Sequence, residues 1–205
     1  YHVQGGKKLR LSRPQQLMAA EREIIEEAYA GDIIGVFDPG IFSIGDTLCA
    51  PGKKFRFDPI PTFAPEHFKR VRSLDTMKRK QFLKGMEQIA QEGAIQIFKT
   101  PYTGMEEVIV GVVGTLQFDV LEYRLKNEYN VELYMEGLPY EYLRWIETDD
   151  GEPVKEEDLI LGTDVKLVED YKGNQLLLFG SQWAIGWTEE RNKTLTFHEF
   201  GGTKF

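Results

Sequence analysis

The sequence predicts an α+β fold: part of a small β-barrel, then a split βαβ domain, then a C-terminal extension of ββαβ type. Two observations carry the prediction. In residues 26–48 the turn signals Ala30-Gly31-Asp32, Asp38-Pro39-Gly40 and Ile44-Gly45-Asp46 follow one another closely, as the corners of a small barrel do. From residue 55 the apolar pattern lengthens into units of strand and helix size. The expected division is a partial barrel over 1–54 and a second domain over 55–205, with its βαβ core at 55–145 and the extension at 146–205.

Each element has its own warrant. The N-terminal YHVQGGKKLRL reads as a strand, a Gly5-Gly6 turn and another strand. Ile33, Ile34, Val36 and Phe37, then Ile41, Phe42 and Ile44, are β-branched and aromatic runs of strand length. Phe55, Phe57, Ile60 and Phe63 make an extended segment, which Pro59 and Pro61 confine to an edge or an irregular strand. Over 74–92 Met77, Phe82, Leu83, Met86, Ile89 and Ala90 recur at helical spacing, and Gly93 supplies a left-handed cap. Residues 95–98 and 108–113 read as strands around a loop with Pro101 and Gly104. Residues 116–128 place Phe118, Leu121 and Leu125 on one helix face, with Thr115 as N-cap, and 131–135 form a further strand. Strand, helix, strand, strand, helix, strand is the ferredoxin-like order, four antiparallel strands covered on one face by two helices.

In the extension, 165–169 and 175–179 form a hairpin whose Gly173-Asn174 turn takes positive φ. Ser181 caps a helix running through Trp183, Trp187 and Arg191, and 195–200 form a last strand. Trp183 and Trp187 share a helix face; core packing is the expected reason, a partner-binding aromatic pair the alternative.

Composition narrows the functional class. With 41% hydrophobic and 28% charged residues and no long apolar run, the chain has no transmembrane helix or secretory segment and is expected in the cytoplasm. Cys49 is the single cysteine, which excludes a disulfide framework or a cysteine-rich zinc site and reads as a small, partly buried thiol. His2, His67 and His198 are too scattered to suggest a metal site or a nucleophile and base pair. There is no GxxxxGK[ST] loop to cradle phosphates. The chain is therefore expected to be neither an enzyme nor a nucleotide binder in its own right, with no cofactor. It starts at Tyr1 and reads as a portion of something longer.

The net charge of −8 conceals an alternation of about +3 over 1–23, −5 over 24–52, +7 over 53–84 and −13 over 85–205. An acidic protein with such a segment can present a local basic face to RNA. That face would draw on Lys53, Lys54, Arg56, Lys69, Arg70, Arg72, Lys78, Arg79, Lys80 and Lys84. The plain alternative for any one of them is a solvated surface.

Several phrases carry a family resemblance. AGDIIG and GDTL, between Ala30 and Leu48, resemble the second-domain barrel of the translational GTPases. Gly111-Val112-Val113-Gly114-Thr115-Leu116-Gln117-Phe118-Asp119, followed by Arg124-Leu125, Glu128-Tyr129 and Val131, is similar to a third-domain phrase of elongation factor G. That factor has Glu-Leu-His where this chain has Thr115-Leu116-Gln117, which argues against elongation factor G itself. LSRPQQLMAAERE, FDPGIFSIGDTL, FAPEHFKRV, KGMEQIAQEGAIQ and VVGTLQFDVLEYRLKNEY resemble the bacterial release factor 3 family over essentially the whole chain.

The resemblance implies a translation-factor domain II followed by domain III, with the GTPase domain, its GTP or GDP and Mg, lying upstream. It implies a GTP-dependent termination factor that helps the codon-reading release factor leave the ribosome. The implied partners are the small ribosomal subunit, both RNA and protein, the chain's own GTPase domain and, indirectly, the codon-reading release factors, with no membrane. Lys69, Arg70, Arg72, Lys78, Arg79 and Lys80 are the expected RNA-facing residues, and Lys7, Lys8, Arg10 and Arg13 a second set. The alternatives are another ribosome-binding relative of elongation factor G, or a protein-interaction module whose acidic half binds a basic partner.

Overall fold

The computed structural model describes residues 1–11, 14–18, 21–38, 41–53, 55–58, 63–101 and 107–199. They belong to two compact units, 1–60 and 61–205, and the mixed α+β class is as expected.

In the first unit, β1 (Gln15–Met18), β2 (Glu21–Ile24) and β3 (Ile34–Gly35) form an antiparallel sheet in the order β2-β1-β3. The β1–β2 hairpin was not anticipated. Conversely, the run at 41–44 forms no strand, because side chains take its amides. The Asp38 carboxylate accepts from the N–H groups of Ile41 and Phe42 at 3.0 and 3.3 Å, and Asp46 accepts from Ser43 at 2.7 Å. Local carboxylate-to-backbone bonds of this kind compete directly with a ladder. Gly31 (φ 101°) and Gly45 (φ 92°) do turn in the left-handed region, whereas Pro39 and Gly40 lie outside the described residues.

The two N-terminal strands reduce to bridges from His2 to Lys7 and to Leu48. Cys49 is half-buried and its thiol donates to the Lys53 carbonyl at 3.2 Å. Phe55 and Phe57 pack edge to face at 4.7 Å but belong to no strand, while Pro59, Ile60 and Pro61 lie outside the described residues.

The second unit contains β4 (His67–Ser73), a 3-10 turn (Thr76–Lys78), α1 (Arg79–Gln91), β5 (Gln96–Lys99), β6 (Glu107–Val112), α2 (Leu116–Tyr129) and β7 (Leu133–Gly137). It continues with β8 (Tyr142–Thr148), β9 (Val165–Asp170), β10 (Gln175–Phe179), α3 (Gln182–Arg191) and β11 (Leu195–His198). The first strand of the βαβ core is thus β4, not the 55–63 segment. The strand β8 replaces what sequence alone treated as the start of a loop-rich tail. β5, β6, β4 and β7 are antiparallel neighbours in the ferredoxin-like order, and β9 pairs with β5 so that the extension continues the same sheet, β11-β8-β10-β9-β5-β6-β4-β7.

The helix ends follow local chemistry. Gly93 closes α1 at φ 75°, donating to the Ala90 carbonyl at 2.9 Å. Thr115 is helical and makes no side-chain cap. Gln117 takes that role: its Oε1 accepts from Val113 and Gly114 at 3.0 and 2.9 Å, while its amide donates to the Ala94 carbonyl at 2.6 Å. A helix start leaves N–H groups without partners, and here a long amide reaches back to the preceding turn. Ser181 caps α3 as expected, accepting from Ala184. In the β9–β10 turn only Gly173 (φ 86°) has positive φ, and Asn174 does not.

Both sheet faces are buried. Val71, Ile97, Val108, Val110 and Leu133 pack beneath α1 and α2 with Phe82, Met86, Leu121 and Leu125. Leu167, Leu177 and Phe179 pack beneath α3. The register pairs Lys99 with Glu169 and Phe98 with Asp170, so alternation along β9 puts Leu167 on the face of Ile97. All three helices therefore cover one face.

The other face collects Phe68, Phe98, Ile109, Leu143, Trp145, Val168, Leu176 and Leu178, none more than 6% exposed and none helical among the described residues. Curling of the sheet buries them. β7 and β8 stand six strand spacings apart in the sheet order, about 29 Å if flat, yet the chain from Gly137 to Tyr142 reaches only about 17 Å. The connector closes the curl, with Leu138 donating to the Phe68 carbonyl at 2.9 Å and Glu141 to the Phe179 carbonyl at 3.0 Å.

Candidate nucleic-acid interface

Alternation along β4 separates its basic residues. Lys69 shares the helix-covered face with Val71, and its ammonium lies 4.4 Å from the Phe118 ring centroid. Arg70 and Arg72 point to the opposite face. Arg70 meets its cross-strand partner Glu136 at 3.4 Å, and the Arg72 guanidinium stacks 4.5 Å over its cross-strand partner Tyr134. Each of these cations has a protein contact, and the three do not form one patch.

The start of α1 is different. Asp75 caps the 3-10 turn by accepting from Met77 at 2.9 Å. Lys78, Arg79 and Lys80 follow directly, and the first turn of α1 contains no acid. Cations at a helix N-terminus oppose the helix dipole. Lys78 turns away and donates to the Asn130 carbonyl at 2.6 Å, against the left-handed end of α2, where the dipole favours it. Arg79, Lys80 and, one turn on, Lys84 are exposed. They gather positive charge where the helix already carries a partial positive charge, an arrangement suited to phosphate.

A clamp holds α1 in place. Arg124 on α2 binds Glu128 at 2.8 and 2.9 Å and reaches Glu92 at the C-terminal end of α1. Hydrogen bonds to Glu128 and then to Glu92 hold the guanidinium well above its ordinary pKa. The bond from Arg124 pulls Glu128 below the usual carboxylate value.

Of the second set, Lys7, Lys8 and Arg10 are exposed in the first unit and Arg13 lies outside the described residues. In the wider cluster Lys53 and Arg56 are exposed, while Lys54 lies outside the described residues. Sequence reasoning passed over Gln117 as a structural residue and expected Trp183 to be core. Trp183 is 73% exposed, 6.3 Å from the Trp187 ring, over which Arg191 lies at 4.0 Å. Among the described residues no cluster of three His, Cys, Asp or Glu could hold a metal ion, and no helix is long and apolar enough to cross a membrane.

Residues 57–189 match the sequence profile described as class II release factor RF3, C-terminal domain. The chain belongs to the release factor 3 family. Residues 1–51 match elongation factor G domain 2, so the two units carry domains of the translation-factor II and III types, neither of them a GTPase domain. "Peptide chain release factor 3" of Symbiobacterium thermophilum is 51% identical over 96% of this chain and 36% of its own length. The proteins of that name from Gloeobacter violaceus and Listeria monocytogenes are each 44% identical, over 97% and 91% of this chain and 37% and 34% of theirs. The chain spans little more than a third of these relatives.

Proposed function

We propose that this chain is the non-catalytic part of a GTP-dependent translation termination factor, in which a domain II barrel over 1–54 and a C-terminal domain over 55–205 dock on the small ribosomal subunit. Docking transmits the nucleotide state of the GTPase domain, which binds GTP or GDP with Mg, and promotes departure of the codon-reading release factor. The reaction lies in the GTPase domain; this chain converts nucleotide state into domain orientation and ribosome contact. Family membership supports the termination role, and the cytoplasm follows from it. The observation that carries the docking surface is the cationic start of α1, where Arg79, Lys80 and Lys84 stand without a first-turn acid. Lys69, Arg70 and Arg72 are secondary, since their protein contacts must be exchanged for phosphate. Lys7, Lys8 and Arg10 on the first unit serve a separate contact, with Arg13 beside them in sequence.

The test is binding of the chain to purified small subunits across a salt series, for wild type and for Arg79→Gln/Lys80→Gln/Lys84→Gln. Each lost phosphate contact lowers the slope of log K against log salt by about 1, so the triple variant should lose about 2–3 units of slope. Unchanged affinity and slope would remove this surface from the interface.

A further inference from the structure

A cavity of about 190 Å³ opens where β8 and β11 meet the 151–154 loop and the β9–β10 turn. We propose that it binds a guanidinium group, the arginine side chain of a protein partner. Its walls suit both halves of that side chain. Trp145, Pro153 and Val154 offer apolar surface to the methylene stem, and Glu147 and Glu152 offer carboxylates to the head.

The polar end is set by strand register. β11 pairs with β8 so that His198 lies opposite Trp145 and Thr196 opposite Glu147, which puts His198 and Glu147 on one face. His198 Nε2 lies 3.5 Å from Glu147 Oε2. That nitrogen is buried and has no hydrogen-bond partner among the described residues. In the tautomer with its proton on Nδ1, Nε2 is an acceptor. A planar group presenting several N–H donors satisfies the imidazole nitrogen and the carboxylate together. Guanidinium is the side-chain cation with that shape.

The site is built rather than incidental. The Gln175 amide clasps Val154, donating to its carbonyl and accepting from its N–H, both at 2.7 Å. Thr148 Oγ1 donates to the Glu152 carbonyl at 2.8 Å. These bonds fix the loop that walls the cavity. The field around it is of one sign, because residues 147–158 hold seven acids and one base, and such a patch concentrates cationic partners. This inference is independent of the RNA-docking reading: it concerns the acidic end of the second unit and uses none of the basic residues.

The experiment is an NMR titration of the whole 205-residue chain, following the Trp145 indole and His198 ring signals. The probe is N-acetylarginine methylamide, with its uncharged citrulline counterpart and spermidine as comparators. The arginine probe should shift both signals saturably, with half-saturation on the order of 1 mM, and the citrulline compound should bind at least tenfold more weakly. Glu147→Gln should weaken arginine binding about tenfold while leaving the Trp183 and Trp187 signals in place. Equal responses to arginine and citrulline would overturn the proposal, and this comparison on the wild-type chain stands even if the variant fails to fold. Tighter saturation by spermidine would replace the guanidinium assignment with that of a free polycation.

Discussion

Two helical glycines should respond to the same substitution with opposite sign. At Gly85 in α1, an added Cβ would stand 2.7 Å from Leu125 Cδ2 and 3.0 Å from the Tyr129 ring. Leu125 is fully buried, so it cannot swing into solvent. At Gly186 in α3 an added Cβ meets nothing within 4 Å. Alanine is favoured over glycine in a helix interior by about 1 kcal/mol at either position. Overpacking a close-packed core costs about 1–3 kcal/mol.

Gly186→Ala should therefore stabilise by up to about 1 kcal/mol, while Gly85→Ala should range from neutral to about 2 kcal/mol destabilising. The helix contribution cancels in the difference between the variants, which isolates crowding between α1 and α2 at about 1–3 kcal/mol. Trp145, Trp183 and Trp187 all lie in the second unit, so urea unfolding followed by tryptophan fluorescence reports on that unit alone. The same difference should appear as about 2–4 °C in Tm per kcal/mol. If Gly85→Ala stabilises as much as Gly186→Ala, α1 and α2 have room to spare at their crossing, and the close contact that aims the cationic start of α1 is lost from the argument.

The remaining predictions concern pH and a turn. Burial, above all, raises the Tyr140 phenol; the Arg70 charge partly opposes this and Asp164 adds to it. A raised folded value means that the stabilising contribution is complete below the unfolded tyrosine value of about 10 and declines as pH climbs through the folded one. Tyr140→Phe should abolish a late-titrating phenol in ultraviolet titration and lessen the alkaline loss of stability; an unaltered titration curve would contradict this. In the β9–β10 turn, Asp170 accepts from the N–H groups of Lys172 and Asn174 and from the Asn174 amide, each at 2.9 Å. Asp170→Ala should destabilise the second unit by about 1–3 kcal/mol in the same urea assay, and a change below about 0.5 kcal/mol would show the turn to be held by other means.

Which elements were legible in sequence depends on how many environments each strand touches. The period of α1 and α2 and the hairpin at 165–179 stand out because one pattern serves one core. β4 hid because Phe68 faces the curled interior and Val71 the helices, so its apolar residues are three apart and break the two-residue period. β8 hid for a related reason: Leu143 and Trp145 line the interior while Tyr142 and Ile146 pack beneath α3, giving a nearly continuous apolar run. The basic run at 69–72 was visible, but which face each charge occupies required the register. His198 and Glu147, far apart in sequence, become neighbours only through the β8–β11 pairing. Spacing put Trp183 and Trp187 on one helix face, but it carries no information on whether anything covers that face.

The four-residue link from Leu138 to Glu141 makes the family's C-terminal extension inseparable from its βαβ core. A chain cut after β7 would keep both helices and all four core strands, yet would leave Phe68, Phe98 and Ile109 facing water on the helix-free side. Such a piece would be sticky rather than merely shorter, and transplanting the ferredoxin-like half alone into another factor should yield aggregates. The strands β8–β11 behave as the second wall of one vessel, so evolution could lengthen the loops around its rim but could not trade one wall without rebuilding the other.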